Sequence, residues 1–155
     1  MTTPRITITP GCYHVGLEPC VIATTLGSCV AVCLHDPIRG IGGMNHFVMP
    51  HAPNHRRDDP YFGDAAIGQL VANLEASGSR GPALTAKIFG GANALWPEAL
   101  SLFAIGHQNI ALARQELVRL HIPLVAERVG GQTGITIEME SWSGAIRLRP
   151  IGRSR

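Results

Sequence analysis

The chain has 155 residues, 45% of them hydrophobic and 15% charged, with a formal net charge of +2. That length supports a single domain, residues 1–155, able to bury roughly 68–70% of its unfolded surface without disulfides or metals, and the apolar content excludes a disordered chain. A balance so close to neutral gives no basis for nucleic-acid binding, and the one internal basic doublet, Arg56-Arg57, is cancelled at once by Asp58-Asp59 and reads as a solvated loop.

No internal repeat or low-complexity tract is visible. Residues 20–26 (CVIATTL) are rich in branched side chains and predict a strand ending at Gly27. Residues 30–35 (VAVCLH) predict a second, Asp36-Pro37 and Gly40 a turn, and residues 43–49 a third strand. Residues 50–59 are a loop. In residues 63–76 the period changes: Ile67, Leu70, Val71 and Leu74 fall on one helical face, with Asp64 as the expected N-cap and Gly78 as the stop. Residues 83–89 predict a strand ended by Gly90-Gly91. A second helix is expected over about residues 107–120, burying Ile110, Ala113, Leu117 and Leu120, closed by Pro123 and followed by a strand over 124–129. The tail alternates as a hairpin, in which a turn at residues 141–144 sets Glu138 opposite Arg147 and Ile137 opposite Leu148. The sum is an α+β fold, a single layered domain of mostly antiparallel strands with two long helices packed outside.

The first residues, MTTPRITITPGCYHVG, hold no apolar run of signal-peptide length, and no segment approaches the roughly 18 apolar residues of a membrane span. The expected location is the cytoplasm, so Cys12, Cys20, Cys29 and Cys33 are expected to be free thiols.

One of these thiols stands apart. Cys29 directly follows the strand-end bend Leu26-Gly27-Ser28, and His46 comes back on the third strand. Cysteine attacks as thiolate, which its ordinary pKa near 8.5 makes scarce at neutral pH; a histidine in the same crevice can take the proton. Gly27 offers backbone freedom and room for a substrate carbonyl, and the amides around Ser28 and Cys29 are candidate oxyanion donors. Cys33 lies within an apolar run and reads as core, Cys12 and Cys20 have no partner at a recognisable spacing, and His14, His35, His107 and His121 read as surface or capping residues. His51 and His55 stand four apart, but with Pro53 between them and no CxxC or HExxH pattern they do not make a zinc site. The segments FGGAN (89–93) and GGQTG (130–134) lack the spacing of nucleotide loops and read as turns or cleft walls.

Five segments, LGSCVAVCLHDP (26–37), GGMNHFVMP (42–50), AKIFGGAN (86–93), IGHQNI (105–110) and IPLVAERVGGQTG (122–134), occur in an order that resembles the CheD family of chemoreceptor glutamine deamidases. The resemblance implies a cysteine amidohydrolase (a protein-glutamine glutaminase) acting on methyl-accepting chemotaxis receptors, a fold similar to deamidating-toxin cysteine hydrolases, and no cofactor. It implies Cys29 as nucleophile, His46 as base and an upstream threonine as third member, for which Thr24 is the first choice and Thr25 the other. It also implies a second possible role, as a regulatory binding module for a CheC-type chemotaxis phosphatase.

Overall fold

The computed structural model describes residues 2–93 and 104–152. Within them the chain runs β1 (Arg5–Thr7), β2 (Tyr13–Gly16), β3 (Val21–Leu26), β4 (Val30–Asp36), β5 (Ile41–Asn45), α1 (Gly63–Ala76), β6 (Thr85–Gly90), α2 (Ile105–Arg119), β7 (Leu124–Val129), β8 (Ile135–Glu140) and β9 (Ile146–Pro150). The strands make two sheets, of order β1-β3-β8-β9 and β2-β5-β4-β6-β7. All pairings are antiparallel except β1 with β3 and β6 with β7. The α+β class and its antiparallel bias are as the sequence predicts.

Side-chain alternation on β4 organises the layers. Val30, Val32 and Leu34 point into a core with Ile67, Leu70 and Leu74 of α1 and Ile110 and Leu117 of α2. Ala31 and Cys33 point the other way, into a second core with Ile22 and Leu26 of β3 and Ile137 and Met139 of β8. A strand covered on both faces must be apolar at every position, which is why VAVCL shows no alternation. The helices therefore lie on one face of the five-stranded sheet and the four-stranded sheet on the other. Each fully buried leucine, such as Leu34, Leu70 and Leu74, contributes about 1.5–3 kcal/mol of transfer free energy.

Helix α1 occupies the predicted residues and buries the predicted face. Its N-cap is Phe62, not Asp64. Burial of the Phe62 ring outweighs polar capping there, and the Asp64 carboxylate instead accepts N–H bonds from Ala52 (3.0 Å) and Ala65 (2.9 Å), tying the preceding loop to the first turn. Helix α2 starts two residues earlier than expected, and its buried side includes Asn109 as well as Ile110, Ala113 and Leu117. The tail hairpin has the predicted register, Ile137 opposite Leu148 and Glu138 opposite Arg147. The ion pair differs: Glu138 bonds Arg5 at 3.0 Å, across the sheet from β1.

The third strand is shorter than predicted, because β5 ends at Asn45. Here the Asn45 side-chain oxygen accepts the Val32 N–H at 2.8 Å, in place of a backbone carbonyl. The ladder resumes only at an isolated Val30–Phe47 pair, bonded both ways at 3.1 and 3.0 Å. His46 sits inside this interruption.

Candidate active site

The bend at residues 27–29 carries the chain from the end of β3 in one sheet to the start of β4 in the other. Thr24, alternating with the inward-facing Ile22 and Leu26, projects from β3 between the sheets. Val30 and Phe47 both point to the helices, so their neighbours Cys29 and His46 face the opposite, inter-sheet side as diagonal partners across β4 and β5. Diagonal pairs of this kind lie within reach of an aromatic side chain. Cys29 is half-buried against the inter-sheet core, while His46 is 3% exposed.

The Thr24 hydroxyl lies 2.9 Å from the Ile8 carbonyl oxygen and 2.7 Å from His46 Nδ1. A carbonyl can only accept, so the single hydroxyl hydrogen goes to Ile8, and the threonine oxygen accepts from Nδ1–H. The tautomer follows: Nδ1 carries the proton and Nε2 keeps its lone pair. Nε2 is buried and bonds no described group, the Cys29 sulfur included. Thr25, the alternative third residue, is exposed on the other face of β3 and bonds Thr136 at 3.2 Å. The short strand β1, not foreseen from the sequence, supplies the edge that leads to Ile8 and so orients the imidazole at one remove.

Burial acts on both groups in the same direction, toward neutrality. Desolvation pushes the His46 pKa down to about 4. It pushes the Cys29 thiol up from its ordinary value, while the Cys29 backbone N–H lying against the sulfur offsets part of that rise. The resting pair is thiol and neutral imidazole, with His46 Nε2 holding an open lone pair. Cys33, fully enclosed, has its pKa pushed up to about 12 and is inert packing. All four thiols are free.

The glycine that matters geometrically is not Gly27. A Cβ there would meet nothing within 4 Å, and its φ is not positive, so neither space nor backbone conformation requires a glycine at that position. Gly90 is the constrained one: its φ is +103°, and a Cβ would fall 2.3 Å from the Cys29 carbonyl oxygen. The following amides use that closeness. Gly91 N–H donates to Cys29 O and Ala92 N–H to Gly27 O, both at 2.9 Å, clamping the bend. The second glycine segment closes beside it through Gly130 N–H to Gly90 O at 2.9 Å and Asn93 N–H to Gly131 O at 2.8 Å. Gly90, Arg128, Gly131, Gln132 and Thr133 are among the residues that line a groove of about 300 Å³ there. Both glycine segments contribute to this groove, the first through Gly90, and neither Cys29 nor His46 is among its lining residues.

His51 and His55 lie in the exposed loop, His51 at 4.0 Å from Asp64, and no group of three or more His, Cys, Asp or Glu among the described residues is arranged to hold a metal. No described helix is long and apolar enough to cross a membrane.

A family model described as CheD chemotactic sensory transduction matches residues 48–150. A Rhodospirillum rubrum protein named "Probable chemoreceptor glutamine deamidase CheD" is 40% identical over 148 residues, covering 96% of this chain and 83% of that protein. One of the same name from Trichlorobacter lovleyi is 42% identical over 139 residues, covering 90% of this chain and 86% of its own. Among solved structures, the Bacillus licheniformis hypothetical protein YfiH aligns with a TM-score of 0.44 at 18% identity, covering 69% of this chain and 45% of its own. With the family model spanning most of the chain and relatives near 40% identity along nearly all of it, the chain belongs to the CheD family.

Proposed function

We propose that this protein is a chemoreceptor glutamine deamidase that converts selected glutamine side chains of methyl-accepting chemotaxis receptors to glutamate, releasing ammonia. The observation that carries the reading is the bonded chain Ile8 O, Thr24 Oγ1, His46 Nδ1. It leaves an unprotonated Nε2 on the face that holds the half-buried Cys29 thiol, in a chain whose relatives bear that name. A buried threonine oriented toward one imidazole nitrogen is what a base needs and what packing alone does not.

In this reading the thiolate is made during attack rather than stored, because both resting groups are neutral. As the receptor carboxamide enters, the thiol closes onto His46 Nε2, the proton transfers, and sulfur adds to the amide carbon. The oxyanion forms against the backbone N–H groups of the bend, where one donor is worth about 2.7–4 kcal/mol. Imidazolium gives its proton to the departing nitrogen, ammonia leaves, and a thioester remains. Neutral His46 then takes a proton from water, hydroxide adds to the thioester, and glutamate and thiol are regenerated. No cofactor enters. The work takes place in the cytoplasm, on receptor segments exposed there.

The test is incubation with a receptor cytoplasmic fragment, reading ammonia and the mass gain of about 1 Da per converted glutamine by peptide mapping. Wild-type protein converts defined glutamines, and Cys29→Ala and His46→Ala do not. Conversion that persists at full rate in Cys29→Ala would overturn the assignment.

A further inference from the structure

Asn109, on the second turn of α2, is fully buried and has no place in the chemistry described so far. Its side-chain Nδ2 donates to two backbone carbonyls, Ser28 O at 3.1 Å and Val48 O at 2.9 Å. Both hydrogens of the amide are therefore used, while its Oδ1 is buried without a partner. An orphaned buried acceptor is costly, and the two donated bonds are what offset that cost at this position.

Those two carbonyls are not arbitrary. Val30 and Phe47 form the last paired residues of β4 and the chain beyond β5; past them the strands part, and Val48 N–H turns to Tyr61 O. Asn109 bridges the two strands where the ladder has opened, one bond to the segment that carries Cys29 and one to the segment that carries His46. Helix α2 comes near enough to do this because Gly106 packs directly on Gly91, where a Cβ would fall 2.5 Å from the Gly91 carbonyl oxygen.

The consequence for chemistry follows from the peptide unit. Ser28 C=O and Cys29 N–H belong to one trans plane and point in opposite directions. Holding that carbonyl toward α2 turns the Cys29 N–H away from the helix, to the side of the sulfur, where it meets no described backbone or side-chain acceptor other than the thiol itself. Donation to the carbonyl also polarises the same peptide, strengthening its N–H as a donor.

We propose that Asn109 is a positioning residue for the oxyanion: by its bonds to Ser28 O and Val48 O it aims and polarises the Cys29 N–H and locks the nucleophile strand to the base strand. This rests on the deamidase reading above. It assigns Asn109 no contact with substrate.

The experiment compares wild type, Asn109→Ala and Asn109→Asp in deamidation of a receptor fragment and in alkylation of Cys29 by iodoacetamide, followed on the Cys29 peptide by mass spectrometry. Alkylation passes through no oxyanion, so in Asn109→Ala the Cys29 labelling rate changes less than about threefold, while kcat for deamidation falls by more than about tenfold, toward the about 10²–10³-fold of losing one oxyanion donor outright, with KM unchanged. Asn109→Asp keeps the shape of the side chain but donates only when protonated; burial raises its pKa, and its kcat falls as pH rises through that value where wild type stays level. Activity is normalised to the folded fraction from thermal melting, and if Asn109→Ala does not fold, the pH profile of Asn109→Asp decides. A wild-type kcat in either variant, or labelling that falls in step with kcat, overturns the proposal. Wild type that deamidates nothing overturns the underlying reading instead.

Discussion

Replacing Thr24 by valine tests the bonded chain that orients the base. The change is nearly isosteric at a site 2% exposed, so packing is preserved and only the hydroxyl is lost. Two bonds go with it: the one from His46 Nδ1–H at 2.7 Å and the one to Ile8 O at 2.9 Å. A buried donor or acceptor left unpaired costs about 1–3 kcal/mol, and at this chain length each kcal/mol lowers the melting temperature by about 2–4 °C. The effect on rate comes from the imidazole. Without an acceptor at Nδ1, loss of the tautomer preference alone halves the reactive form, and the imidazolium formed when His46 takes the thiol proton loses about 1–3 kcal/mol of hydrogen-bond stabilisation. At about 1.4 kcal/mol per decade this corresponds to a drop in kcat of about 5- to 150-fold. Ammonia release from a receptor fragment, measured at saturating substrate, reads it directly. Thr24→Ser restores the hydroxyl and most of the rate, and Thr25→Val, which loses only a surface bond to Thr136, stays at wild type. A folded Thr24→Val protein with wild-type kcat would refute the tautomer argument.

The depressed pKa of His46, about 4 against an ordinary 6.5, predicts an acid-sensitive fold. Between those values the unfolded chain binds a proton that the folded chain refuses, so the stability is fully present above pH 6.5 and is lost as pH falls toward 4. The loss is on the order of 3 kcal/mol. Wild type therefore shows a steeper fall in melting temperature from pH 7 to 4.5 than His46→Gln; equal slopes would refute it. By the same shift, the acid limb of kcat/KM is centred near pH 4, and a limb centred at 6.5 would mean the imidazole is not desolvated in the working enzyme. Native alkylation at pH 8 discriminates among the cysteines: exposed Cys12 and half-buried Cys29 label, while buried Cys20 and Cys33, the latter with its pKa near 12, stay protected until the protein unfolds. Labelling of Cys33 in folded protein would contradict the packing of β4.

Much of the fold is readable from local pattern because it is decided by local physics. The period of Ile67, Leu70, Val71 and Leu74 is the buried face of α1, and the alternation from Ile135 to Leu148 sets a hairpin register that the structure reproduces. In both, the residues that must share a face are near neighbours in the chain. The same holds for the bend before Cys29 and for the apolar run of β4. Segments without such a pattern were not foreseen: β1 and β2 are three and four residues long, too short to show a period, and β5 stops early because one side chain, Asn45, takes over a ladder bond.

The site depends on what is distant. Thr24 and Thr25 are adjacent and chemically identical; only the pairing of β3 with β8, which sends alternate residues to opposite faces, puts one between the sheets and the other in solvent. Ile8 reaches Thr24, and Asn109 and the Gly90 segment reach the bend, from separate parts of the chain, and a polar residue among the apolar positions of α2 carries no mark of the carbonyls it will meet. Hydrophobic periodicity records which face of an element is buried, but not what it is buried against. Directional hydrogen bonds acquire their partners only when the two sheets and the helix layer close on one another.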